Sequence, residues 1–158
     1  MRTKKAKLRE VSPDAKYNSV LVAKLISRSM KDGKKSVAQK QVYTALEIAA
    51  DKTKKQPVEV LEAAVANITP QMEVRSRRVG GASYQVPMPV QTRRATSLAI
   101  RWLVLESNKR SNKEFHSYAE KLSAEILDAL ENTGGAIEKK LTSHRMAEAN
   151  KAFSHFRW

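Results

Sequence analysis

Cysteine is absent from the 158-residue sequence, and aromatic residues make up only 6% of it. Without cysteine the chain has no disulfide and no thiolate metal site, which fits a reducing compartment. The shortage of aromatic rings predicts a core of aliphatic and alanine side chains, and a chain of this length can bury such a core in one domain. Glycine and proline number five each, so little of the chain is predicted to be linker.

Long apolar runs are also absent. No segment approaches the ~20 apolar residues that a membrane span requires. The start of the chain, MRTKKAKLRE, is basic but lacks the apolar stretch of a secretory signal. Together these absences predict a cytoplasmic protein.

Acidic residues are few compared with basic ones. The 16 Asp and Glu stand against 30 Lys and Arg, which leaves a formal net charge of +14. Such an excess favours a polyanionic partner, with nucleic acid ahead of an anionic membrane surface.

Hydrophobic periodicity predicts a mainly α fold, with a single helical domain of six helices over residues 12–158. A basic arm, residues 1–11, precedes it and has too few apolar side chains to order without a partner. Val37, Tyr43 and Trp102 lie on apolar helix stripes and are expected in the core. The residues predicted to cap, begin or end the helices are Asn18 or Ser19, Asp32-Gly33, Ser36 with Gln39, Pro57, Pro70, Thr92, Ser111 with Glu114, and Thr133-Gly134-Gly135 before a sixth helix near Ala136.

A protruding β-hairpin is predicted at about 72–90, where the apolar period changes from helical to two. Gly80-Gly81 marks the turn. Pro87 and Pro89 cannot donate hydrogen bonds to a neighbouring strand, so the returning strand must be an edge or contain a bulge.

No motif indicates an enzyme. The segment Gly33-Lys34-Lys35-Ser36 lacks the earlier glycine, and the Ser or Thr directly after the first lysine, that a phosphate-binding loop needs. The three histidines have no close partners that would complete a metal site. We therefore expect no catalysis, no metal and no cofactor.

Basic residues cluster in the arm, in two turns and on the hairpin. Arg75 and Arg77 are predicted to share one hairpin face and Arg78 the other, because side chains alternate along a strand. The planar guanidinium fork of arginine matches phosphate oxygens. A charged edge strand that resists aggregation would explain one or two of these charges, and each turn pair alone also fits a solvated turn. The candidate nucleic-acid-binding residues are Arg2, Lys4, Lys5, Lys7, Arg9, Lys34, Lys35, Arg75, Arg77, Arg78, Arg93, Arg94, Lys109 and Arg110.

Four blocks of the sequence closely resemble the bacterial-type family of small ribosomal subunit protein seven. They are DGKKSVA (32–38), EVRSRRVGGASYQVP (73–87), AIRWLV (99–104) and HRMAEANKAF (144–153). The resemblance runs from about Arg9 to Trp158. It departs from the family pattern at 108–121, which looks longer, and at 138–143, which is less basic.

This resemblance implies a six-helix body with a protruding hairpin that binds the 3′ major domain of 16S rRNA and nucleates assembly of the subunit head. It also implies a position near exit-site tRNA and mRNA, beside small ribosomal subunit protein eleven and other head proteins. The residues that the resemblance puts near tRNA or mRNA are Gly80, Gly81, Ala82, Ser83, Tyr84, Arg145, Lys151 and Arg157.

We expect binding by phosphate neutralisation and shape, because duplex RNA hides its base edges in a deep major groove. The alternative is an architectural DNA-binding protein that uses a basic β-arm. Such arms carry an apolar wedge at the tip, whereas Gly80–Ser83 are all small. A membrane binder would need a basic amphipathic helix, and the charges here lie mostly in turns, hairpin and arm. We expect neither a membrane partner nor a small-molecule substrate.

Overall fold

The computed structural model describes residues 9–156. The predictions on Arg2, Lys4, Lys5, Lys7 and Arg157, and most of the predicted disordered arm (1–11), therefore lie outside the described residues. Within 9–156 the chain forms six α-helices, one antiparallel β-hairpin and a terminal 3₁₀-helix. The predicted mainly α fold with a hairpin is confirmed. The elements in chain order are α1 (Val20–Ser29), α2 (Lys35–Thr53), α3 (Pro57–Ile68), β1 (Met72–Val79), β2 (Ala82–Pro89), α4 (Thr92–Lys109), α5 (Tyr118–Leu130), α6 (Gly134–Ala149) and the 3₁₀-helix (Lys151–Phe156).

The core lies among the helices, with α5 at its centre. Helix α5 packs against α2, α3, α4 and α6, and its Leu122 and Ile126 are fully buried beside residues such as Leu46 and Leu103. The buried side chains are mostly Ala, Val, Leu and Ile, as the composition predicts. None of the helices within 9–156 combines the length and the apolar character needed to cross a membrane.

The start of α2 differs from the prediction. The helix begins at Lys35, and no side chain caps it. Ser36 therefore lies inside the first turn, and Gln39 donates its Nε2 hydrogen bond to Tyr43 Oη at 2.6 Å instead of closing a capping box. Val37 is 56% exposed rather than buried, because Ala38 and Val42 take the side of the helix that faces the core.

The start of α5 also differs, by about two turns. The capping box forms at Ser117 rather than Ser111: Ser117 Oγ accepts from Glu120 N at 3.2 Å, and the Glu120 carboxylate accepts from Ser117 N at 3.3 Å. A further bond from His116 N, together with that from Ser117 N, lowers the pKa of Glu120. Helix α4 shows a smaller shift, since Thr92 is its first residue and Gln91 precedes it.

The hairpin pairs without interruption from Met72 opposite Pro89 to Val79 opposite Ala82. Both strands are edges of this two-stranded sheet, so its prolines are tolerated as predicted. Gly80 and Gly81 have φ of 57° and 93°. Two positive φ values define a type I′ turn, and glycine adopts them without a steric cost.

Candidate nucleic-acid interface

The pairing register divides the hairpin arginines between its two faces. Arg75 lies opposite Val86 and Arg77 opposite Tyr84, so both occupy one face. Arg78 lies opposite Ser83 on the other face, and its Nε donates to Gly81 O at 3.3 Å. The alternation predicted from the sequence is confirmed.

Glu73 links the base of the hairpin to the first turn of α4. One of its oxygens, Oε1, accepts from Arg75 Nε at 2.7 Å, and both of its oxygens accept from Arg94 Nε, at 2.9 and 2.7 Å. The Glu73 side chain is only 9% exposed, whereas those of Arg75 and Arg94 are 52% and 49% exposed. The two arginines, 19 positions apart in sequence, are thus brought to one carboxylate.

A groove of about 320 Å³ lies between α1 and α4. Lys24 and Arg28 face it from α1, and Arg93 faces it from α4. Ser27, Ser97, Ile100 and Val11 complete the described lining, which contains no acid. Three cations around one open groove form a site suited to a phosphate group.

A second groove, of about 360 Å³, connects this site to the predicted basic turn Lys34-Lys35. Val11 and Ser27 line both grooves, and Lys35 lines the second one. Its one acid, Asp14, is buried and accepts from Tyr43 Oη at 2.8 Å. Basic groups therefore continue from the base of the hairpin to the start of α2, and the exposed Arg9 precedes this path in the chain.

Lys109 and Arg110 line neither of these two grooves, and both contact acids of their own chain. Lys109 Nζ pairs with Glu106 Oε1 at 2.8 Å. The Arg110 guanidinium pairs with Glu125 and Asp128, and its side chain is 19% exposed. Arg110 is largely buried against these acids, so it is left out of the proposed RNA contacts, whereas Lys109, whose side chain is 55% exposed, stays a predicted contact.

The tip of the hairpin and the end of the chain lie side by side. Tyr84 packs its ring against Phe153, with centroids 5.3 Å apart, and against Phe156 at 5.2 Å. The tip residues Gly80–Ser83, together with Arg145 and Lys151, are exposed. The hairpin tip and the C-terminal segment, which the family resemblance puts near the same partners, are thus in contact.

Sequence reasoning missed Lys24 and Arg28 as site residues. Their spacing of four places both on one side of α1, and a solvated helix face is the ordinary interpretation of such a pair. The signal available was their position in the first helix after a basic arm. A helical body with a basic hairpin and an adjoining cationic groove is typical of a nucleic-acid-binding protein.

The chain belongs to the family described as "Ribosomal protein S7p/S5e", whose model matches residues 1–151. "Small ribosomal subunit protein uS7" of Thermosipho melanesiensis is 57% identical over 158 residues, which cover 100% of both chains. The protein of the same name from Dictyoglomus thermophilum is 59% identical over 150 residues, 95% of this chain and 94% of the relative. That of Caldicellulosiruptor saccharolyticus is 57% identical over 152 residues, 96% of each.

These findings confirm the family resemblance found in the sequence. The chain is therefore a structural ribosomal protein of the small subunit, and its predicted location at the cytoplasmic ribosome is confirmed with it.

Proposed function

We propose that the chain is a primary rRNA-binding protein, which binds the 3′ major domain of 16S rRNA and nucleates assembly of the subunit head. The observation that supports this most directly is the adjacency of the hairpin base and the α1–α4 groove. Arg93 lines the groove, and the next residue, Arg94, bonds Glu73 beside Arg75. No catalytic step, metal or cofactor belongs to this role.

Phosphate neutralisation supplies most of the affinity in this proposal. Arginines and lysines from α1, α4 and the hairpin displace condensed counterions when they contact the RNA backbone. With about 6–10 such contacts, the affinity would fall by roughly 10³–10⁵ when the salt concentration is raised from 50 to 200 mM, on the duplex-DNA scale. Shape supplies the specificity, because folded RNA presents its backbone and 2′-hydroxyls rather than its major-groove base edges.

The hairpin tip and the C-terminal 3₁₀-helix form a second part of the proposal. We infer that they face exit-site tRNA, mRNA and small ribosomal subunit protein eleven. The contact between Tyr84 and the phenylalanines of the 3₁₀-helix supports a shared role, since it joins the two segments into one surface. Crosslinking the assembled subunit through tip residues would test these partners, and crosslinks to the opposite side of the head would exclude them.

Filter binding to a fragment of the 3′ major domain tests the rRNA proposal. The test variant combines Lys24→Ala, Arg28→Ala and Arg93→Ala. A charge-matched control combines Lys52→Ala, Lys54→Ala and Lys55→Ala, at and just beyond the C-terminal end of α2. Lys52 lies about 25 Å along the helix axis from Lys35.

We expect the groove variant to bind at least tenfold more weakly and with a shallower salt dependence, while the control loses much less. Equal losses in the two variants would mean that net charge alone drives binding. Duplex DNA serves as the competitor for the alternative function. If it displaces the rRNA fragment at equal concentration, the architectural DNA-binding hypothesis replaces the proposal.

A further inference from the structure

Glu73 is an acid in the middle of a surface proposed to bind a polyanion. Its side chain lies on the same hairpin face as Arg75 and Arg77, and the residue is 7% exposed. A carboxylate in this position repels phosphate. Glu73 therefore either weakens RNA binding or makes a favourable contribution that outweighs this repulsion.

The geometry of the Glu73 contacts explains what that contribution is. Arg75 approaches with two nitrogens, Nε at 2.7 Å and Nη2 at 2.6 Å from Oε1. Arg94 approaches from α4 with Nε within 2.9 Å of both oxygens. Two rotamer-rich side chains from different elements are thereby held in one orientation each. An arginine side chain has about 2 kcal/mol of rotamer entropy, and a fixed one loses less of it on binding.

The orientation leaves each guanidinium with donors for a further partner. A guanidinium has five N–H donors, and the contacts to Glu73 occupy one edge of it. About half of each side chain remains exposed, 52% for Arg75 and 49% for Arg94. The inner edge of each guanidinium, which faces Glu73, is therefore bound to the carboxylate. The outer edge, which faces away from Glu73, is accessible to a phosphate oxygen.

The position of Arg94 adds an electrostatic reason for Glu73. Arg93 and Arg94 lie in the first turn of α4, and that turn has no acid of its own. A helix N-terminus carries a partial positive charge and disfavours cations there. The carboxylate of Glu73 is the negative group that the hairpin supplies to this turn.

We propose that Glu73 is a positioning residue for rRNA binding: it strengthens binding by fixing Arg75 and Arg94 with their outer edges towards the RNA backbone. This inference rests on the proposed function. Its consequence is counterintuitive, because removing a negative charge from the surface should weaken the binding of a polyanion.

The test compares Glu73→Gln with Glu62→Gln by filter binding to the same rRNA fragment. Both variants raise the net charge by one, and Glu62 is exposed on α3. We expect Glu73→Gln to bind about tenfold more weakly. The slope of log affinity against log salt concentration should become shallower by about the amount that one phosphate contact contributes. We expect Glu62→Gln to bind as the wild type does or slightly more tightly.

Two further measurements separate positioning from a general loss of structure. The arginine Nε–H signals of Arg75 and Arg94 in NMR spectra should lose their protection from exchange in Glu73→Gln, while the backbone amides of α5 keep theirs. In the Arg75→Ala, Arg94→Ala background, Glu73→Gln should no longer weaken binding, because the residues through which it acts are gone.

The outcomes distinguish the role of Glu73 from the RNA contact at the hairpin base on which it rests. If Arg75→Ala with Arg94→Ala binds as the wild type does, both the hairpin-base contact and the role of Glu73 are overturned. If that variant loses affinity while Glu73→Gln binds as tightly as the wild type or more tightly, only the positioning role is overturned. A loss in Glu73→Gln that persists unchanged in the double-alanine background overturns it as well.

Discussion

Arg110→Ala is expected to destabilise the fold strongly, because it leaves the carboxylate of Glu125 buried without its ion-pair partner. Glu125 is 2% exposed, and its Oε2 accepts from Arg110 Nε at 2.8 Å and Nη2 at 2.6 Å. Its other oxygen accepts from Ala136 N at 2.8 Å, in the first turn of α6. Burial lowers the pKa of Arg110, but hydrogen bonds to Asp128 and Glu125 raise it overall, so the guanidinium stays charged.

The size of the effect follows from this burial. Removing one partner of a buried ion pair costs about 3–5 kcal/mol. The lower end applies here, since the Arg110 side chain is 19% exposed and water can enter beside Glu125. A domain of this kind has about 5–15 kcal/mol of total stability, so the loss is a large fraction of it. For a chain of this length, ~3 kcal/mol corresponds to a Tm lower by about 6–12 °C.

Thermal unfolding followed by circular dichroism measures this change. Lys109→Ala is the matched control, because it removes the neighbouring cation of a pair whose lysine side chain is 55% exposed, so the expected cost is less than about 1 kcal/mol. Arg110→Met combined with Glu125→Gln should recover most of the loss, since no buried charge then lacks a partner. The reasoning is refuted if Arg110→Ala melts within about 2 °C of the wild type, or if Lys109→Ala loses as much.

Three other measurements follow from the local geometry. Ser117→Ala removes the cap of α5 and should lower the free energy of unfolding in urea by about 1 kcal/mol, whereas an equal loss in Ser111→Ala would contradict the observed cap. Burial lowers the pKa of His144, so the unfolded state binds more protons and stability should fall as pH drops through about 6.5. His144→Gln should then show a smaller loss of Tm on acidification, and an equal loss would exclude this histidine. Phe153→Ala with Phe156→Ala should speed hydrogen exchange in β2, and unchanged exchange would mean that the 3₁₀-helix does not restrain the hairpin.

Local chemistry was sufficient to predict the elements of the fold. Pro57 begins α3 because proline suits the first helical position. The hairpin could be predicted because alternation over 72–90 is interrupted by two glycines, the residues that a type I′ turn requires. These features depend on a few neighbouring residues, so no tertiary information was needed.

Tertiary contacts decide the features that the sequence predicted wrongly. Ser111–Glu114 and Ser117–Glu120 both match the capping-box pattern, and only the second forms the cap. Residues 110–112 are held in the loop, where Lys121 Nζ donates to Arg110 O at 2.6 Å. From the sequence alone, Arg110 is likewise interpreted as an exposed cation. Its acidic partners follow it by 15 and 18 positions, so no local pattern indicates the ion pairs.

The cationic groove needed tertiary information for the same reason. Lys24 and Arg28 belong to α1, and Arg93 belongs to α4, about 65 residues later in the chain. Their common groove exists because α1 and α4 pack together. The sequence showed that the chain is basic, and the packing of two helices determines which of its basic residues can meet one phosphate.

The hairpin is well suited to present charge because the body restrains it along its length. An isolated two-stranded hairpin is marginally stable in water. Here Glu73 bonds Arg94 at the base, and Ser143 Oγ of α6 donates to Met72 O at 3.1 Å. Further along, the aromatic rings of the 3₁₀-helix pack on Tyr84. Each restraint lowers the entropy that ordering would cost on binding, so a restrained hairpin binds RNA more tightly than a free one with the same charges.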